Sequence, residues 1–343
     1  MKKIGLICFL FLSQMAVKAQ QIGEVKIKSG GYNEKQFDKL PKKVYVHSFV
    51  VNYQILFERE DRKAATSTFG GGYKGSQLAK VATVLEGVDN KMLTRITDRL
   101  FEEFKAELNA KGIEVISAKD IQKPEVFDNY DYVKGGRLSS EGIPGCISVT
   151  PSQIDFYEKE RLLANLALDK GPKISDAIDE AVVAQITLNV PYLAMGGSGM
   201  GLGESQVKVK TSLRVAQSLT GSMKKESKLL SIGSNDVVVV QTAIIFGGGK
   251  RGMAYKSNYT GYLNKDVMIS GVMDNETIKA VSRTTNFGTH AYQAGNLVFV
   301  YYENDADVQL RTIEVDGDKY ENGVLKGLST VLMTHTKAYL QNY

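Results

Sequence analysis

Apolar positions along the chain follow three different periods, and each predicts an element. Leu93, Ile96, Leu100, Phe104 and Leu108 recur at three- and four-residue steps, which places them on one face of a helix that Gly112 should end. From residue 182 the period is two. Ala184, Ile186, Leu188 and Val190 share one face of a strand; Val207, Val209, Thr211, Leu213 and Val215 share one face of another, with Lys208, Lys210, Ser212 and Arg214 opposite. The run VVVVQTAIIF (237–246) has no alternation and predicts a strand buried on both faces.

The remaining segments fill in around these. KKVYVHSFVVNYQILF (42–57) is rich in β-branched and aromatic residues and predicts a first strand, followed by a charged, glycine-rich loop over 57–77. IEVIS, after the 93–108 helix, reads as a short buried strand. Strand, long loop, helix and strand make an α/β unit whose sheet the helix should cover. A second helix is expected within 151–169, capped by Ser152 and packed through Leu162, Leu163 and Leu166, with another turn or two over 175–181. Strands fit 259–272 and 296–302. The chain should close with a helix begun by Asp318, with Glu321 completing a capping box and Tyr320, Leu325, Leu328 and Leu332 along one side. The expected fold class is α/β (α+β): a mixed β-sheet flanked by helices, carrying a glycine-rich extended β-hairpin. Residues 20–41 read as a polar, extended lead-in to a domain over 42–343, with room for a sub-boundary near 150–175. The echo between FGGGYKG (69–75) and FGGGKRG (246–252) is short and of low complexity, so coincidence explains it better than duplication.

The hairpin's connection, with glycine at 196, 197, 199, 201 and 203, has more conformational freedom than a tight turn needs. Phosphate cradles need G-x-G-x-x-G or G-x-x-x-x-G-K-[ST] between strand and helix. The 196–203 segment has neither spacing and leads into a strand; in 246–252, Gly249-Lys250 is followed by Arg251. A mobile binding loop or a hairpin tip reaching a membrane or partner remains. The residues to which this contact is assigned are Gly196, Gly197, Gly199, Met200, Gly201, Leu202 and Gly203.

Catalytic and metal patterns are thin. His47, His290 and His335 are far apart in sequence and no H-E-x-x-H occurs, so no metal site is assigned. There is no G-x-S-x-G; Ser222 and Lys225 satisfy S-x-x-K, but the segment reads as a turn after a strand and the companion motifs are missing. Cys146 sits between glycine, proline and isoleucine with no histidine nearby in sequence. No catalytic residue and no cofactor are assigned.

The chain begins with Lys2 and Lys3, an apolar run from Ile4 to Leu12, and Val17-Lys18-Ala19 before Gln20, the pattern of an export signal over 1–19. Cys8 lies inside the apolar run, too early for a lipoprotein cleavage site. Removing 1–19 takes away three lysines and no acid, lowering the formal charge from +5 to +2. That near-balance argues against nucleic acid as a partner. Only Cys146 then remains, so a hydrophobic core and not an internal disulfide must hold the protein together. No later stretch has 18 unbroken apolar residues, although membrane-crossing strands would escape that test.

An extended strand, a loop of spaced glycines and then QVKVKTSLRVAQSLTG resembles the first membrane-crossing hairpin and following strand of the CsgG-like curli secretion channels. The helix over 93–111, IEVIS and Asp120 are similar to that family's helix leading into a short strand and a second helix. The likeness covers roughly 42–122 and 182–262. It implies an α/β domain that joins a ring and lends hairpins to a shared barrel. DVVVVQTAIIFGGGKRGMAYKSNYTGYL would then be the second hairpin, with Lys250, Arg251 and Lys256 in water. The family is typically lipidated, and this chain has no usable lipidation cysteine. The expected function is a non-enzymatic, exported secretion or assembly component in the periplasm or outer membrane of a Gram-negative type envelope. Its expected partners are its own copies or an envelope protein, with outer-membrane contact at the hairpin. The alternatives are a soluble periplasmic or surface module that binds a ligand or partner protein, or an enzyme with a dispersed site.

Overall fold

The 93–108 stripe forms helix α1, Asn90–Asn109, which the Asp89 carboxylate caps by accepting the Met92 N–H at 2.7 Å. Gly112 follows with φ +71, a left-handed conformation that glycine adopts without a Cβ penalty. All five stripe residues are fully buried. They pack on the strand Lys43–Gln54, where Phe49 meets Phe101 edge to face at 5.6 Å and the Tyr53 hydroxyl bonds Thr97 Oγ1 at 3.0 Å. After α1, Glu114–Ile116 returns parallel to the start of that strand, Lys43 beside Glu114 and Tyr45 beside Ile116. The expected α/β unit is present: a parallel return needs a crossover, and α1 supplies it.

The protein is a computed structural model, describing residues 20–63, 66–67, 73–74, 77–159, 170–195, 206–223, 236–281, 288–294, 297–303 and 311–343. The fold is mixed α+β, with several sheets and a few helices; among the described residues no sheet closes into a barrel. The central sheet is eight-stranded, in the order Leu138–Ser139, Cys146–Val149, Lys43–Gln54, Val182–Val190, Ala243–Arg251, Ala254–Leu263 and Ile27–Tyr32, with Glu114–Ile116 also on the 43–54 strand. The 43–54 and 182–190 strands run parallel; 182–190, 243–251 and 254–263 alternate antiparallel.

One sheet face carries Val46, Phe49, Val51, Ala184, Ile186, Leu188, Ile244 and Phe246 into the main core beneath α1 and the C-terminal helix α3, Gly317–Leu340. Tyr320, Leu325, Leu328 and Leu332 of α3 are buried, as their spacing requires. The cap is two residues earlier than expected. Asp316, not Asp318, accepts the Lys319 N–H at 3.2 Å, because strand Arg311–Glu314 delivers the chain directly into the helix. Glu321 closes no capping box; it takes Arg95 Nε and Nη2 at 3.2 and 2.6 Å and joins α3 to α1.

Several expectations change. Residues 57–77 are not simply a loop: Leu56–Lys63 pairs antiparallel with Gln77–Glu86 over eight residues, and Thr66 and Ser67 pair with Lys74 and Tyr73. Backbone ladder bonds hold this hairpin, and a run such as Glu58 to Lys63 gives them no hydrophobic signature. The 237–246 run is two strands, Asp236–Gln241 and Ala243–Arg251, broken at Thr242; Val239 is 54% exposed and Val240 only 6%. Ser152 caps no helix. Its N–H donates to Asp98 Oδ1 at 2.7 Å, and Phe156–Glu158 is a strand; Leu162, Leu163 and Leu166 lie outside the described residues. The turn expected over 175–181 belongs to helix α2, Gly171–Ala177. Residues 20–41 are extended in part but built into the fold. Ile27–Tyr32 is an edge strand of the central sheet, and Phe37 is fully buried. The strands expected over 259–272 and 296–302 match Ala254–Leu263, Val267–Ser270 and Leu297–Glu303.

Candidate functional site

All seven residues assigned to partner or membrane contact, Gly196 to Gly203, lie outside the described residues. Their two flanking strands are described and paired. Leu193–Met195 runs antiparallel to Gln206–Thr211, with Leu193 opposite Thr211 and Met195 opposite Val209. Val207, Val209 and Thr211 are buried and Lys210 is exposed, which is the predicted alternation. Met195, the last described residue before the glycines, is 60% exposed. Leu213 and Val215 are buried as expected, but the strand breaks at Ser212. Arg214–Val215 turns away to pair with Val267 and Met268.

Arg214 marks that break. Its Nε donates to Asp266 Oδ2 at 2.7 Å and its Nη1 donates to the carbonyls of Leu193 and Ser212 at 2.8 and 2.9 Å. Burial pulls its guanidinium pKa down, and the facing Asp266 opposes that pull. Asp266 also accepts the Gln217 N–H at 2.8 Å. One ion pair therefore fastens the base of the glycine hairpin to the body.

Two further excursions meet this base. Thr277–Val281 pairs with the far edge of Gln206–Thr211, and Arg311–Glu314 pairs parallel with Thr83 to Glu86 of the 56–86 hairpin. Val81, Val84, Val207, Val209, Ile278 and Ile313 belong to one buried cluster. Polar bonds cross it. The Tyr192 hydroxyl lies 2.8 Å from both Oγ1 and the carbonyl of Thr83. Thr211 Oγ1 donates to the Asp274 carbonyl at 2.6 Å, and Arg311 Nη2 reaches Glu276 Oε2 at 2.7 Å. Three chain excursions, 56–86, 193–211 and 277–314, are thus gathered at their bases. The third contains a ribbon in which Gly288–Ala294 and Leu297–Glu303 pair over seven residues, each the other's only ladder neighbour among the described residues.

Among the described residues no three His, Cys, Asp or Glu side chains gather to hold a metal. His47 and His335 are both pushed down to about 4 by burial, which keeps them neutral at pH 7. His290 lies in the 288–294 strand. Cys146 is buried, with its thiol pushed up to about 12, so it carries no nucleophilic thiolate. Ser222 lies within the strand Ser218–Met223, not at a helix start, and Lys225 is outside the described residues. Gly247, Gly248 and Gly249 lie in the Ala243–Arg251 strand and Gly252 in the turn to Ala254–Leu263, so this segment leads into a strand and opens no helix. No described helix is long and apolar enough to cross a membrane, which says nothing of strands.

The alternation over 207–211 was legible in the sequence, but the polar residues that hold this region were not: Tyr192, Thr83, Arg214, Asp266 and Glu276. Their partners lie tens of residues away, so neither spacing nor composition marks them. No protein-family model, no curated protein and no solved structure matches this chain.

Proposed function

We propose that this chain is an exported, non-enzymatic component of a cell envelope that works by assembly, with copies of itself or with an envelope protein, as its resemblance to the CsgG-like channels implies. One observation carries the reading: three hairpin-like excursions, far apart in sequence, are held side by side at their bases by the buried Tyr192–Thr83 bond, the partly buried Thr211–Asp274 bond and the exposed Arg311–Glu276 pair. The ribbon over 288–303 adds support. A two-stranded hairpin alone is marginal in water, and this one pairs with no third strand among the described residues. Its sixteen residues carry one carboxylate, Glu303, and no lysine or arginine. Such a segment gains stability when a lipid or protein surface covers it.

The test is to fractionate cells producing the native chain, extract the membrane fraction with mild detergent and measure particle mass. A multi-subunit particle in that fraction supports the proposal. A monomer confined to the soluble fraction overturns it and favours a soluble binding module.

A further inference from the structure

Away from the hairpins, a smaller core covers one end of the sheet's other face. Tyr45, Phe127, Tyr130 and Tyr157 pack there with Ile174 and Val183. Phe127 stacks on Tyr157 at 4.7 Å and meets Tyr130 edge-on at 5.3 Å. Three ammonium groups contact Tyr130, two at its ring and one at its carbonyl. Lys159 Nζ and Lys170 Nζ each stand 5.3 Å from its ring centre, while Lys123 Nζ donates to its carbonyl at 2.9 Å and lies 5.8 Å from the Tyr157 ring.

Attraction to a ring face or a carbonyl satisfies an ammonium group only in part. Nearby carboxylates that make contacts make them elsewhere. Asp155 accepts from the Tyr132 hydroxyl and the Gly135 N–H, Glu158 accepts from Arg137 at 3.1 Å, and Asp120 caps Ser117. Lys250 and Lys256, close by on the sheet, each have a partner, in Asp176 and Glu180. Among the described residues, Lys123, Lys159 and Lys170 have no ion-pair partner. A second feature belongs to the same aromatic group. Tyr45 Oη and His47 Nδ1 are buried without a hydrogen bond, and their rings lie 6.1 and 6.0 Å from Phe127. Such groups cost free energy unless something polar meets them.

We propose that Lys123, Lys159 and Lys170, gathered around Tyr130, bind an oxyanion: a carboxylate or phosphate carried by a small ligand or a chain end. Lysine ammoniums are mobile point charges, so three of them suit an anion with several oxygens and no fixed bidentate geometry. Lys123 is exposed and the other two are half-buried, which leaves their charges open to a ligand.

Calorimetric titration of the full mature chain with sodium phosphate, and separately with sodium acetate, at matched low ionic strength tests this. Saturable binding of either anion is expected, and the tighter of the two identifies the class. The pair Lys159→Gln/Lys170→Gln should weaken it by about tenfold or more. The pair Lys250→Gln/Lys256→Gln, which removes the same charge from lysines already paired, should leave it unchanged. Heats that never saturate, or equal loss in both pairs, would overturn the proposal. Unchanged thermal melts of the variants separate lost binding from lost fold.

Discussion

Tyr192 and Thr83 are 109 residues apart in the chain, and a single phenol hydroxyl lies 2.8 Å from both Oγ1 and the carbonyl of the threonine. Both residues are fully buried. This bond joins the strand leading into the glycine hairpin to the 56–86 hairpin. Tyr192→Phe leaves the threonine carbonyl short of a donor, so a loss of about 1–3 kcal/mol is expected in denaturant unfolding. Amide exchange should rise first over 193–211 and 77–86. Exchange rising uniformly over the whole chain would mean that the bond does not act locally.

Leu100→Ala removes a fully buried side chain from the centre of the α1 stripe. Urea or guanidinium melts should show a loss of about 2–5 kcal/mol. A change within experimental error would contradict the packing of α1 on the sheet.

Gly261 lies under the imidazole of His335, where an added Cβ would sit 2.2 Å from Nδ1. Gly261→Ala should push α3 off the sheet at this point and cost about 1–3 kcal/mol. Gly112→Ala meets no neighbour within 4 Å, and its cost comes from φ +71 alone. That cost should stay near 1 kcal/mol. Comparing the two variants in thermal melts separates collision from backbone strain.

His47 and His335 make stability depend on pH. Their ordinary value is 6.5 and burial holds both near 4, so the unfolded chain binds protons that the folded chain refuses. Their contribution is complete above pH 6.5 and declines as pH falls toward 4. The gap corresponds to roughly 3 kcal/mol per histidine. Urea midpoints at pH 7 and pH 5 should therefore differ, the lower pH giving the lower midpoint. His335→Gln should flatten part of that slope, and a slope identical to that of the unaltered chain would exclude His335 as a source.

Replacing Gly199 and Gly201 with alanine should leave the melting temperature nearly unchanged while reducing recovery of the assembled particle. Spin labels at Met200 and Leu202, in a Cys146→Ser background, should be mobile in the isolated chain and shielded after assembly. Labels already immobile in the monomer would show that the glycines serve close packing within the chain instead.

Wherever burial imposes a period, the sequence alone determined the element. The α1 stripe, the alternation over 182–190 and 207–211, and the apolar side of α3 follow from which residues must leave water. Helix and strand geometry then convert spacing into a face. The glycine-rich segment over 196–203 lies outside the described residues, and only the pairing of its flanking strands bears on it. Other features required the folded chain. The Glu58 to Lys63 strand is held by backbone bonds to 77–86, and charge patterns do not record backbone pairing. Val239 stands in an unbroken valine run yet is half-exposed, because hairpin pairing with 218–223 decided its face. Glu321 fits a capping box in sequence and meets Arg95 in space, since the packing of α3 on α1 brings a guanidinium within reach. The same holds for Tyr192 with Thr83, Arg214 with Asp266, and the three lysines around Tyr130. A sequence specifies which side chains must be buried, but only tertiary packing decides which distant polar groups they bring together.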